Sequence, residues 1–195
     1  MKFLERTGLA TKGYKWLGLL SLTMLASCGG SLNGASQGAV NDSLVFSAEL
    51  NGMQETPANA SAGNGIGLAI VNARDLTFSA SVVTTGIAET VAHIHEAAPG
   101  VAGPVLFPLI KEPGQVVWNV KGTLTPAQLV TMRAGGFYFN VHSPTYTQGE
   151  IRGQINFKLP TREQLDRLLL VAQQSQALQL LVQQARLQVQ SLKPQ

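Results

Sequence analysis

The chain has 195 residues, 45% hydrophobic and only 13% charged, with 20 glycines and 9 prolines, a composition that supplies one packed domain of strands and turns and speaks against a helical bundle. Its formal charge of +3 belongs to the first residues, where Lys2, Arg6, Lys12 and Lys15 outweigh Glu5; the remainder is formally neutral and gives no ground for a nucleic-acid partner. Cys28 is the single cysteine, which excludes an internal disulfide.

Residues 1–27 read as a signal peptide: basic residues precede an apolar run from Trp16 to Ala26, well short of the roughly 20 residues that a bilayer span requires. Leu25-Ala26-Ser27-Cys28 is similar to a bacterial lipobox, in which cleavage precedes the cysteine and the thiol takes up a diacylglycerol. The expectation is lipidation at Cys28 and a lipid-anchored cell-envelope location, at the outer membrane or a periplasm-facing membrane surface. Residues 28–43 are rich in Gly, Ser, Asn, Ala and Gln and predict a flexible tether.

From residue 44 to 158 short alternating runs are separated by turn residues. Leu44, Phe46, Ala48 and Leu50 form one apolar row, ending at Asn51-Gly52; Ile66, Leu68 and Ile70 form the next. After a turn, Leu76, Phe78, Ala80 and Val82 alternate with hydroxyl residues. Further strands are predicted at 90–95, 105–110, 116–122, 136–142 and 149–157, about eight in all, as in a two-sheet sandwich or Greek-key barrel. Thr125-Pro126 is an N-cap signature and Gly135 a stop, so a helical turn or two is expected between them.

Residues 159–195 change character. Thr161 with Gln164 fits a capping box, and Val171, Leu178, Ala185 and Leu192 recur every seven residues. This predicts one amphipathic helix of about eight or nine turns. It either lies back on its own domain or, the preferred reading, offers residues 161–192 to a second copy or another envelope protein.

All three histidines fall in two strands. In Ala92-His93-Ile94-His95-Glu96 the two imidazoles share a face; in Phe137-Tyr138-Phe139-Asn140-Val141-His142 the apolar row faces inward and leaves Tyr138, Asn140 and His142 outside. If the strands pair, three nitrogen donors converge on a surface site suited to copper, with zinc as the alternative. Glu150, on the polar face of the last strand with Arg152, is a candidate fourth ligand or an acceptor for an imidazole N–H; a cross-strand ion pair is its other reading. Met53 offers a soft sulfur and Tyr138 a hydroxyl near the site. The absence of a Gly-x-Ser-x-Gly elbow, of paired carboxylates and of a phosphate loop speaks against hydrolase and nucleotide chemistry.

Phe46-Ser47-Ala48-Glu49-Leu50-Asn51-Gly52, Glu55-Thr56-Pro57, Ala92-His93-Ile94-His95, Gly103-Pro104-Val105, Phe137-Tyr138-Phe139-Asn140-Val141-His142-Ser143 and Gly149-Glu150-Ile151-Arg152-Gly153-Gln154 together resemble the CHRD domain, a family named from chordin and found in many bacterial secreted proteins. The resemblance covers residues 44–158. It implies an all-β, immunoglobulin-like or superoxide-dismutase-like Greek-key sandwich, to which the C-terminal amphipathic helix is appended, and it supports a binding module. His93-Ile94-His95-Glu96 also resembles the copper strand of Cu/Zn superoxide dismutases, but the further histidines and the zinc aspartate of that chemistry are missing. A mononuclear site is what the residues permit. The expected function is a non-catalytic binding module with a three-histidine copper site; an adhesion or assembly module without metal and a mononuclear copper oxidoreductase are the alternatives.

Overall fold

In a computed structural model, which describes residues 42–173 and 175–192, the alternating runs become eight strands. They are β1 (Ser43–Asn51), β2 (Asn64–Asn72), β3 (Thr77–Thr85), β4 (Val91–Glu96), β5 (Val105–Leu109), β6 (Val117–Thr123), β7 (Phe137–His142) and β8 (Ile151–Ile155). The signal peptide, Cys28 and the tether as far as residue 41 lie outside the described residues.

All strand pairs are antiparallel, in the order β5-β4-β7-β8-β1-β2-β3-β6. The two ends of this sheet meet at a bridge between Ile110 and Asn119, so the eight strands make one nearly closed barrel. Around that ring β3 lies beside β6 and β4 beside β7, the two Greek-key crossings.

The inward row of each strand fills the barrel. Phe46, Ala48 and Leu50 meet Phe78, Ala80 and Val82, Ala92 and Ile94, Phe137, Phe139 and Val141, and Ile151 and Ile155, all buried. Packing is tight enough that a methyl on Gly67 would come within 2.4 Å of the Phe139 ring. The predicted apolar rows of β1, β3, β4 and β7 face inward apart from their ends, whereas the Ile66, Leu68 and Ile70 row of β2 faces outward and Ala69 and Val71 fill the interior in its place. Phe157 is 47% exposed, because β8 stops at Ile155 and Asn156 turns away to bridge Ser47. Leu76 belongs to a turn at φ 60.

Helix α1 (Pro126–Arg133) is N-capped by Thr125 in a capping box with Gln128 and ends before Gly135, at φ 76, as its sequence predicts. The single long C-terminal helix is not formed. Two helices stand there, α2 (Arg162–Ala172) and α3 (Gln176–Ser191), with Ser175 capping the second. Leu165, Leu168 and Ala172 from α2, and Leu178, Leu181, Val182 and Ala185 from α3, cover Val45, Ile66, Leu68, Ile70 and Val117 on the outside of the barrel. One straight helix of that length would carry half its apolar stripe beyond the sheet. Burying a Leu or Val side chain yields about 1.5–3 kcal/mol, whereas a break forfeits a few helical hydrogen bonds of about 1 kcal/mol each, so the folded-back arrangement wins. β2 is consequently buried on both faces, and Val171, Leu178 and Ala185 of the predicted seam pack on the chain's own sheet while Leu192 stays exposed. Among the described residues no helix is long and apolar enough to cross a membrane.

Candidate metal centre

The register of β4 on β7 builds the site. Val91 faces His142, His93 faces Asn140 and His95 faces Tyr138; cross-strand partners share a face, so all three imidazoles stand on the outside of the barrel, opposite the row of Ala92, Ile94, Phe139 and Val141. His142 is the diagonal neighbour of His93. Their ring centroids are 5.1 Å apart, and those of His93 and His95 are 5.6 Å apart.

One ring nitrogen from each histidine lies within 4.8 Å of the other two. The Nδ1 of His93 and the Nε2 of His142 are 3.3 Å apart, close to the separation of about 3.3 Å that two nitrogens take at a tetrahedral ion with bonds of about 2.0–2.1 Å. The other ring nitrogens are tied down by carbonyls. His95 Nδ1 donates to Gly103 O at 2.9 Å and His142 Nδ1 to Thr147 O at 3.0 Å. A carbonyl only accepts, so both rings carry their proton on Nδ1 and their lone pair on Nε2. His93 then donates its Nδ1 proton to His142, and moving that proton to Nε2 frees the third lone pair for a metal.

His95 Nε2 is buried and has no hydrogen-bond partner. A lone pair shut away from water without a donor is costly, and a metal ion would satisfy it. The donor set therefore fits a transition metal on an observation independent of the spacing: outer carbonyls fix the tautomers that a ligating histidine needs. Burial and the neighbouring imidazoles hold His93 below its usual pKa of 6.5; burial, His142 and Arg152 do the same to His95 against the opposing pull of the Gly103 carbonyl. Both rings are thereby kept in the neutral form that binds metal.

Behind the histidines lies a column of rings that sequence reading does not find. Tyr138 stacks on His95, centroids 4.8 Å apart and planes 12° apart, and the Arg152 guanidinium lies 3.5 Å from the Tyr138 centroid. Arg152, expected on a polar outer face, is only 2% exposed, because residues 97–104 fold over it. Its Nη1 donates to Thr56 Oγ1 and Val101 O, its Nη2 to Ala98 O and Gln154 Oε1. The same loop presents both Gly103 contacts: its carbonyl to His95, and its N–H to the Tyr138 hydroxyl at 3.1 Å. Any Cβ at Gly103 would sit 2.0 Å from the Glu96 carbonyl, so only glycine lets the loop run this close to β4. The signal available in the sequence was an arginine set between two glycines, Gly149 and Gly153, and two residues from a glutamine on the same strand face.

The other candidates are not brought to the imidazoles. Glu150 stands before β8, where its Oε1 accepts from Ser61 Oγ at 2.7 Å and its backbone carbonyl from Asn59 Nδ2; it joins the loop between β1 and β2 and makes no ion pair among the described residues. Met53 is 76% exposed in the single turn Gly52–Gln54. Tyr138 does lie at the site, as expected, but through its ring, with its hydroxyl committed to Gly103.

A family model described as the CHRD domain matches residues 46–155. No curated protein and no solved structure matches the chain.

Proposed function

The chain belongs to the CHRD-domain family, and from that premise we propose that it is a non-catalytic binding module of the bacterial cell envelope, anchored through lipid on Cys28, which holds one copper ion at His93, His95 and His142. The observation that carries the metal reading is the buried, unpartnered Nε2 of His95 beside two further imidazole nitrogens. Copper is preferred over zinc because an all-nitrogen site binds it more tightly among the divalent first-row ions.

Metal titration of the full chain, compared with the His93→Ala/His95→Ala/His142→Ala variant, tests the centre. The expected result is stoichiometric copper binding by the first protein alone; equal binding by both refutes the ligand assignment. Anchoring is tested separately by Cys28→Ser, which should move the chain from the membrane fraction to the soluble one.

A further inference from the structure

Arg152 is the largest charged group buried in the barrel wall, and the one acid that acts on it, Glu55, does so through space without forming an ion pair. Four neutral acceptors surround it, and none of the ion pairs among the described residues involves it. A buried cation without a directly paired carboxylate costs several kcal/mol in desolvation. Tying down residues 97–104 needs donors; it does not need a charge. The strand order places β7 between β4 and β8, so Tyr138 is a spacer with His95 on one side and the guanidinium on the other.

We propose, resting on the three-histidine reading above, that Arg152 biases the centre toward a monovalent ion, Cu(I), by holding a fixed positive charge behind His95 across the Tyr138 ring. A guanidinium stays protonated in proteins, so the charge is permanent. It repels a divalent ion twice as strongly as a monovalent one. A unit charge roughly 8 Å from the ligand ring, in an effective dielectric of about 20, changes the relative affinity for ions differing by one charge by about tenfold or more. For a one-electron couple tenfold corresponds to about 59 mV, in the direction that favours the reduced ion. Three imidazole donors without a carboxylate add no negative charge to offset this. The nearest buried acid, Glu55, is itself pushed up to about 7 by burial and compensates the guanidinium only in part near neutrality. Arg152 is thus a positioning and selectivity residue, acting on the ion through space and through the ring it stacks on.

The test titrates the full chain with Ag(I), a redox-inert monovalent probe, and separately with Zn(II), at one pH. Arg152→Met should lower the ratio of Ag(I) to Zn(II) affinity by about tenfold, while Arg152→Lys, which keeps the charge and loses the planar fork, should hold the ratio within about threefold of the wild type. Should Arg152→Met not fold, Arg152→Gln reads the same ratio with polar donors retained. An unchanged ratio in the neutral variant, or a loss as large in the lysine variant, overturns the charge assignment while leaving the metal site intact. A wild-type chain that binds neither ion overturns the three-histidine reading and this inference with it.

Discussion

A neutral imidazole that gives one ring proton to a carbonyl has its lone pair fixed at the opposite nitrogen, and His95 and His142 are both held in that way. Tyr138 supports the arrangement by accepting the Gly103 N–H. Tyr138→Phe keeps the stack but releases that loop contact, and copper affinity should fall about tenfold, the lower end of what outer-shell changes cost; isothermal titration of the two proteins decides, and equal affinities would show that the loop is held otherwise. Glu55 provides a second residue-scale prediction. Burial raises its carboxyl from 4.5 to about 7, against the Thr56 N–H and Arg152, which pull it down, and its Oε1 has no hydrogen-bond partner. Between those two values the folded chain holds a proton that the unfolded chain has released, so this group's contribution to stability is full below pH 4.5 and is lost as pH rises through 7. His93 and His95, whose pKa values are lowered, act in the opposite sense and lose stability as pH falls below 6.5. Comparison with Glu55→Gln isolates the carboxyl: relative to the variant, the wild type should lose about 2–3 kcal/mol between pH 5 and pH 8 in urea unfolding, and parallel pH profiles would contradict it. The three histidines were legible in the sequence because period-two alternation is a local rule. Arg152 and Glu150 were not, since what covers one and captures the other are loops distant in sequence, residues 97–104 and Ser61.

At the scale of elements, strand alternation carried most of the architecture, and the inward rows of β1, β3, β4 and β7 follow from it directly. What alternation does not contain is the second burial of β2. Its Ile66, Leu68 and Ile70 face α2 and α3 while Ala69 and Val71 face the barrel interior, a choice made by the helices and not by the strand. The helical region shows the converse failure. A seven-residue repeat reports which side is apolar and says nothing about where the helix stops; Ser175 was the local clue, a good N-cap residue in the middle of the run. Leu178 is fully buried at the start of α3, so Leu178→Ala should cost about 2–5 kcal/mol by denaturant unfolding without altering metal affinity. A loss below about 0.5 kcal/mol, the size of a surface change, would mean that the helices do not dock.

At the scale of the whole molecule, the ring order brings β4 and β7 together although 40 or more residues of chain, β5, β6 and α1 among them, lie between the two strands. That closure juxtaposes histidines from distant parts of the sequence, and it places the site on the opposite flank of the strand order from the helix-covered β1 and β2. The ring itself is unequally fastened. Long ladders join most neighbours, while β5 and β6 are joined by Ile110 and Asn119, whose two backbone hydrogen bonds are each 2.8 Å. Across that gap Phe107 packs edge-on against Phe78 at 4.7 Å, and Lys111 reaches Glu89 while lying over Trp118. The wall therefore has a zip: breaking one pair of bonds turns a tube into a ribbon with two raw margins able to recruit further strands. Amide exchange should betray it, with Ile110 and Asn119 losing protection well before the β1–β2 ladder, and whatever lengthens the life of this molecule should act first on that stitch.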